Sequence, residues 1–236
     1  MGKWNLVSFV LALGLAVGLA CTLPPAQAGT IVNSKHDFSS SGMGGNWGST
    51  DVNEVCVFCH TPHNAQTVSG GPLWNRAPLS KTFKTYANAG SGTLTATVGQ
   101  PTGNTLLCLS CHDGSIAIDQ FVRGAGAGKG MMAIGDVYYP GSPYGEGGPN
   151  IGGNYTGNPN VNDLSNDHPV SFTYDATLAA NDGGLKEPGA TGLPLFSSKL
   201  ECATCHDVHN VKSVPGTKLL RVAIASSALC LSCHTK

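Results

Sequence analysis

The sequence Cys202-Ala-Thr-Cys205-His206-Asp-Val-His209-Asn210 places two thiols and two imidazoles within nine residues. Its first five residues have the pattern Cys-x-x-Cys-His, which occurs three more times in the chain, at 56–60, 108–112 and 230–234. The two intervening residues put both sulfur atoms about one turn apart on one side of the backbone, and the histidine follows directly. Four copies of so specific a pattern predict four copies of one chemical site.

Cys-x-x-Cys-His is typical of covalent haem attachment, in which the two thiols bind the porphyrin and the histidine ligates the iron. Zinc sites and redox pairs are alternatives for the two cysteines, but zinc leaves the histidine unexplained and a redox pair does not recur four times. Disulfides are the main remaining alternative. We predict four c-type haems with their iron. The predicted thioether residues are Cys56, Cys59, Cys108, Cys111, Cys202, Cys205, Cys230 and Cys233, and the predicted proximal ligands are His60, His112, His206 and His234.

A second axial ligand for each iron is available among the remaining histidines. The chain has eight histidines, and those outside the four motifs are His36, His63, His168 and His209. Because four irons need a second ligand and four imidazoles remain, we predict bis-histidine ligation throughout. The alternative ligands are Met43, Met131 and Met132, which lie in glycine-rich segments and do not recur between the two halves of the chain.

His63 follows His60 by three residues, so the two side chains leave one side of a turn with about 5 to 6 Å between their Cβ atoms. They are too close to bind opposite faces of one iron, and the same holds for His206 and His209. These histidines are therefore expected to serve neighbouring haems. The expected pairs are His63 with the haem of His112, His209 with that of His234, His36 with that of His60, and His168 with that of His206.

The chain repeats itself. Residues 29–123 and 161–236 each contain a lone histidine, then C-x-x-C-H-x-x-H-N, then C-L-S-C-H. We predict a two-haem module in each, joined by a glycine-rich loop at 124–160. The chain contains 32 glycines and 14 prolines but only 7% aromatic residues, so side chains alone supply little core. The expected fold is a mostly irregular multihaem cytochrome c fold, with short helices at the haem sites, little β structure and a core dominated by haem.

The first 28 residues have the features of a cleaved export signal. Lys3 precedes an apolar run at 6–20, and Ala26-Gln27-Ala28 is a small-residue cleavage site. The run is short for a membrane span and is followed by two prolines, which argues against a permanent anchor. Removal of the signal also removes Cys21, so the eight other cysteines all belong to haem motifs. We expect an exported protein, extracellular or on the cell surface, or alternatively periplasmic.

Charge and ligand count exclude several functions. The formal net charge is −1, and nothing in the sequence favours binding to nucleic acid. A haem that reduces a substrate needs an open iron position, and none is expected here. We therefore predict an electron-transfer protein rather than an enzyme, with low reduction potentials because methionine ligation is absent.

The chain resembles the doubled-CxxCH multihaem cytochromes of metal-reducing bacteria, and with four haem motifs it is most similar to the tetrahaem outer-surface cytochrome E type. The residues that carry the likeness are His36, 56–64, Leu73-Trp74-Asn75-Arg76, 108–114, 167–172 and 230–234.

This resemblance implies a subunit that associates head to tail into an extracellular conducting filament, or nanowire, and that exchanges electrons with partner cytochromes or extracellular acceptors. It also implies that one distal histidine crosses the subunit boundary. His36 is the candidate because it lies on an N-terminal arm, and this competes with the pairing given above. The alternatives are a discrete periplasmic shuttle and a multihaem reductase with an open haem.

Overall fold

The computed structural model describes residues 31–42, 49, 52–76, 79, 81–89, 91–113, 151 and 163–235. The predicted signal peptide lies outside these residues. So do the glycine-rich loop, apart from Ile151, and the three methionines that were considered as ligands.

Short elements joined by irregular segments make up the described chain. The helices are α1 (Tyr86–Ala89), α2 (Gly103–His112), α3 (Ala176–Asp182), α4 (Cys202–Cys205) and α5 (Cys230–Cys233). Two 3-10 helices span Pro188–Ala190 and Ala225–Ser227. The strands form two antiparallel pairs, β1 (Gln66–Val68) with β2 (Gly71–Trp74) and β3 (Phe172–Thr173) with β4 (Lys199–Leu200). The expected irregular fold with short helices and little β structure is confirmed.

The cysteine motifs differ in their local structure. The second, third and fourth motifs lie in α2, α4 and α5, as expected. The first motif is a turn, so the prediction of a brief helix there is wrong. Helix α4 begins with a capping box between Glu201 and Thr204, which satisfies backbone N–H groups at its start. The corresponding residues of the first motif are Val55 and Phe58, which cannot form this cap.

The segment 168–174, whose alternating apolar residues suggested a short strand, contains β3. Phe172 lies opposite Leu200 and Thr173 lies opposite Lys199. This pairing holds the segment beside the residues that lead into α4.

Buried apolar side chains form three small clusters in the described residues rather than one large core. The largest contains Val98, Phe172, Tyr174, Leu193, Leu200 and Cys233. The second contains Val52 and Phe58, and the third contains Phe83, Leu109 and Leu164. The first and third clusters join residues from both halves of the sequence, so the two halves pack against each other.

In the part of the chain that the structure describes, no helix has the length and apolar character needed to cross a membrane.

Candidate functional site

Six of the eight histidines, all of which the structure describes, lie in pairs with neighbouring rings, which differ in inclination from pair to pair. The ring centroids are 5.9 Å apart for His36 and His112, 6.2 Å for His60 and His209, and 6.5 Å for His168 and His234. Each pair joins the histidine of a Cys-x-x-Cys-His motif to one of the histidines predicted as distal ligands.

These separations fit one metal ion between the two rings. A metal–nitrogen bond of about 2.0 Å and a ring radius of about 1.1 Å put the centroids of two imidazoles on opposite faces of a metal about 6 Å apart. Together with two adjacent thiols, such a pair is the donor set that covalent haem requires. The residues present therefore fit a c-type haem at three of the four motifs.

The observed partners differ from those expected from the sequence. His209 faces His60 rather than His234, His36 faces His112 rather than His60, and His168 faces His234 rather than His206. That pairing prediction is wrong for these three. That His206 and His209 serve different haems stays a prediction. Their spacing does not indicate that the ring beside His209 lies in the other half of the chain.

His36 lies inside its own chain. Burial, together with the charges of His112 and His206, lowers the pKa of His36 to about 4. Its Nδ1 atom is buried and has no hydrogen-bond partner among the described residues. A neutral imidazole is the form that binds a metal. Its position beside His112 argues against the expectation that His36 reaches into a neighbouring subunit.

His63 and His206 are the two histidines outside these pairs. Both are exposed. Among the described histidines, His206 is therefore a motif histidine outside the three pairs. His63 is a predicted distal ligand outside them.

The rings of His60 and His206 are oriented by equivalent contacts. The Nδ1 atom of His60 lies 2.8 Å from the Pro72 carbonyl oxygen, and that of His206 lies 2.9 Å from the Lys218 carbonyl oxygen. A backbone carbonyl at Nδ1 fixes the ring and its tautomer, and leaves Nε2 for a metal. Both histidines are therefore held as metal ligands usually are.

Residues that follow the first and third motifs in the chain make equivalent hydrogen bonds to the backbone of these motifs. The backbone N–H of Asn75 donates to the Cys59 carbonyl at 2.9 Å, and that of Arg221 donates to the Cys205 carbonyl at 2.9 Å. Asn75 Nδ2 also donates to the Val57 carbonyl at 2.7 Å, while Arg221 Nε donates to the Ala203 carbonyl at 3.0 Å. These equivalent contacts show that the first and third motifs are repeats in structure as well as in sequence.

Cysteines of different motifs lie close together. The side chains of Cys108 and Cys202 lie beside each other across the two halves, and the interaction of the two thiols, together with burial, raises the pKa of Cys108. Burial raises the pKa of Cys59 to about 12, with a further contribution from Cys111. Burial likewise raises the pKa of Cys205 to about 11, with a contribution from Cys233. Neighbouring motifs are thus adjacent through their attachment residues.

Glu201 joins the second and third motifs, and sequence reasoning missed it. This carboxylate is 2% exposed and accepts hydrogen bonds from Ser171 Oγ at 2.9 Å and from the Thr105 N–H at 3.3 Å. The hydroxyls of Thr102 and Thr105 also donate to it. Because these donors lie at the start of α2 or beside β3, the carboxylate ties α2 to α4. The Glu-x-x-Thr spacing of its capping box was the available signal.

Paired thiols, an anchored imidazole beside them and a second imidazole facing the first define a c-type haem site. Residues 195–236 match the protein family described as the doubled CXXCH motif. The match supports a multihaem c-type cytochrome with covalently attached haem, which is an electron-transfer protein. None of the curated proteins compared with the chain matches it.

Proposed function

We propose that the chain is a tetrahaem cytochrome that conducts electrons through closely spaced bis-histidine sites, as one subunit of an extracellular filament. The observation that carries this proposal is the set of three facing imidazole pairs, with centroids 5.9 to 6.5 Å apart. A bound haem supplies a one-electron iron couple. The eight motif cysteines would hold the four haems, and the facing imidazoles would fill both axial positions.

Filled axial positions favour electron transfer over catalysis. A reductase needs an iron that can bind its substrate, whereas an imidazole on each face blocks that access. Adjacent attachment residues, such as Cys108 with Cys202, support short distances between neighbouring haems.

His63 and His206, the two histidines outside the three pairs, support the proposed assembly. His209 of the second half faces His60 of the first, and His63 and His206 are their counterparts in the repeat. If a second copy follows the first as the second half follows the first half, its His63 would face His206. We propose this ligation between subunits in place of the one expected for His36. Contact between two unlike surfaces is head to tail, and it propagates as a fibre when the rotation between copies does not close a ring.

Export is part of this proposal and depends on the signal-like features of residues 1–28. Mass spectrometry of the native protein is expected to give an N-terminus near Gly29, and protease treatment of intact cells is expected to degrade the protein. A protein that intact cells protect would be periplasmic, as a discrete shuttle is.

Comparison of His63→Ala with His209→Ala tests the assembly. We would purify each holoprotein, image it by negative stain and record its electron paramagnetic resonance (EPR) spectrum. The wild type is expected to form filaments with low-spin iron only. His63→Ala is expected to give short particles with one high-spin iron per chain. His209→Ala is expected to give high-spin iron at a site completed within the chain.

Added imidazole provides the control. It is expected to return both variants to low spin, but not to restore filaments to His63→Ala, because free imidazole does not link two subunits. Wild-type protein that stays monomeric with all irons low-spin would contradict the filament and favour a shuttle. High-spin iron in the assembled wild type would favour a reductase.

A further inference from the structure

The residues that form the contact between the two halves of the chain have counterparts in the repeat, and these counterparts are exposed. Leu109 and Leu231 occupy the same position in the two C-L-S-C-H motifs. Leu109 is 1% exposed and packs with Leu164, whereas Leu231 is 40% exposed. The leucine of the C-L-S-C-H motif is therefore buried in the second motif and exposed in the fourth.

Leu164, which packs with Leu109 in a buried cluster, also has a counterpart in the repeat. Leu164 precedes the lone histidine of the second half by four residues, and Val32 precedes the lone histidine of the first half by four. Leu164 is 6% exposed and Val32 is 45% exposed. The buried pair of Leu109 and Leu164 thus corresponds to an exposed pair of Leu231 and Val32, which lie in the opposite parts of the repeat.

The motif cysteines at the contact between the halves also have exposed counterparts in the repeat. Cys202 lies against α2, where its N–H donates to Thr105 Oγ1 at 3.2 Å, and it lies beside Cys108; the counterparts of Cys108 and Cys202 in the repeat are Cys230 and Cys56. Cys56 and Cys230 are exposed, while the other six motif cysteines are intermediate or buried.

The polar contact between Thr102 and Glu201 corresponds to apolar residues at the equivalent positions of the repeat. Thr102 donates to Glu201, and the counterparts of these two residues are Ile224 and Val55. Ile224 is 65% exposed, a costly position for a large apolar side chain in water. Val55 is half-buried, so the exposed large apolar side chains at these counterpart positions are Ile224, Leu231 and Val32. Exposed apolar side chains that correspond to a buried contact are candidates for an interaction surface.

We propose that Ile224 and Leu231, beside the fourth motif, pack against Val32 and Val55, beside the first motif, of a second copy of this chain. These residues form the two surfaces of the contact. The contact would repeat the one between the two halves of a single chain, with Leu231 against Val32 as Leu109 lies against Leu164. This inference rests on the proposed head-to-tail assembly and adds the side chains that select the partner.

A charge swap tests the contact. Val32→Lys and Leu231→Glu each place one charge at the junction, so each single variant is expected to reduce the filament fraction at least tenfold in sedimentation. The double variant brings the introduced carboxylate of one copy against the introduced ammonium group of the next, and is expected to restore filaments at low salt. The matched control is Val211→Lys, which changes a residue that is 49% exposed and lies outside both surfaces.

Leu231 lies inside a haem motif, so mass spectrometry must show the wild-type haem content in each variant. Ile224→Glu provides a second test outside the motifs and is expected to reduce the filament fraction similarly. Single variants that assemble like the wild type would overturn the proposed surface, and a double variant that fails to recover would overturn the pairing of Leu231 with Val32. The proposed function fails separately, if the wild type is monomeric or if His63→Ala assembles normally.

Discussion

The imidazole planes of His60 and His209 are inclined by only 19°, whereas those of His168 and His234 are inclined by 75°. The two pairs are similar in ring separation and differ in orientation. Parallel axial rings separate the energies of two iron d orbitals that perpendicular rings leave nearly equal, so haems held by these two pairs would differ in electronic structure.

We predict two classes of low-spin signal in the EPR spectrum of the oxidised holoprotein. The His60 site is expected to give a rhombic spectrum, and the His234 site a spectrum with one large g value. His209→Gly should remove a rhombic signal, while the matched variant His168→Gly should remove a large-g signal. Loss of the same signal in both variants would contradict the observed pairs.

A second prediction concerns Glu201. Glu201→Ala leaves the buried N–H and hydroxyl of Thr105 without their acceptor, and each unsatisfied buried group costs about 1 to 3 kcal/mol. We expect the free energy of unfolding to fall by about 2 to 4 kcal/mol in chemical denaturation followed by near-UV circular dichroism.

Glu201→Gln is the control for this prediction, because it keeps the size and one acceptor oxygen of the side chain. Its loss of stability is expected to be smaller than that of Glu201→Ala. Equal losses in the two variants would show that both carboxylate oxygens are needed, and that the shape of the side chain alone does not join α2 to α4.

Tyr174 gives a third prediction. Its ring is 1% exposed in the largest cluster, and its hydroxyl donates to the Lys186 carbonyl at 2.8 Å. Tyr174→Phe removes the hydroxyl and is expected to cost about 1 kcal/mol. Tyr174→Ala also leaves a cavity and is expected to cost about 3 to 5 kcal/mol in the same denaturation experiment. A loss for Tyr174→Phe as large as that for Tyr174→Ala would assign the stability to the hydrogen bond instead.

A fourth prediction follows from the small apolar clusters. Without haem, the two to six buried apolar residues of each cluster are too few to offset the entropy of ordering the chain. A variant of residues 29–236 with serine at all eight motif cysteines is expected to be unfolded. Its radius of gyration by small-angle scattering should be near about 50 Å, against about 17 Å for a compact chain of this length. A compact variant with a cooperative thermal transition would contradict this.

The sequence predicts the fold class and the chemistry of the site because motif spacing is a local property. Two thiols and a histidine within five residues need no tertiary information, and few aromatic residues among many glycines favour irregular structure. The pairing of His209 with His60 is different, because contact between the two halves selects the partner, and spacing along the chain does not report that contact. The division into modules at 29–123 and 161–236 stays a prediction.

Glu201 and the first motif show a second limit of sequence reasoning. A glutamate beside a cysteine motif appears in the sequence as an ordinary charged residue, and its burial becomes evident only when Ser171 and Thr105 surround it. Likewise, Val55 and Phe58 prevent a helix cap at the first motif, although all four motifs have the same Cys-x-x-Cys-His pattern.

The contact between His60 and His209 also bears on the order of maturation. An exported chain emerges from its N-terminus, so a haem attached at Cys56 and Cys59 could not receive the imidazole of His209 until most of the chain had followed. Until then such a haem would be open to small ligands and oxidants, and contact between the two halves would end that exposure.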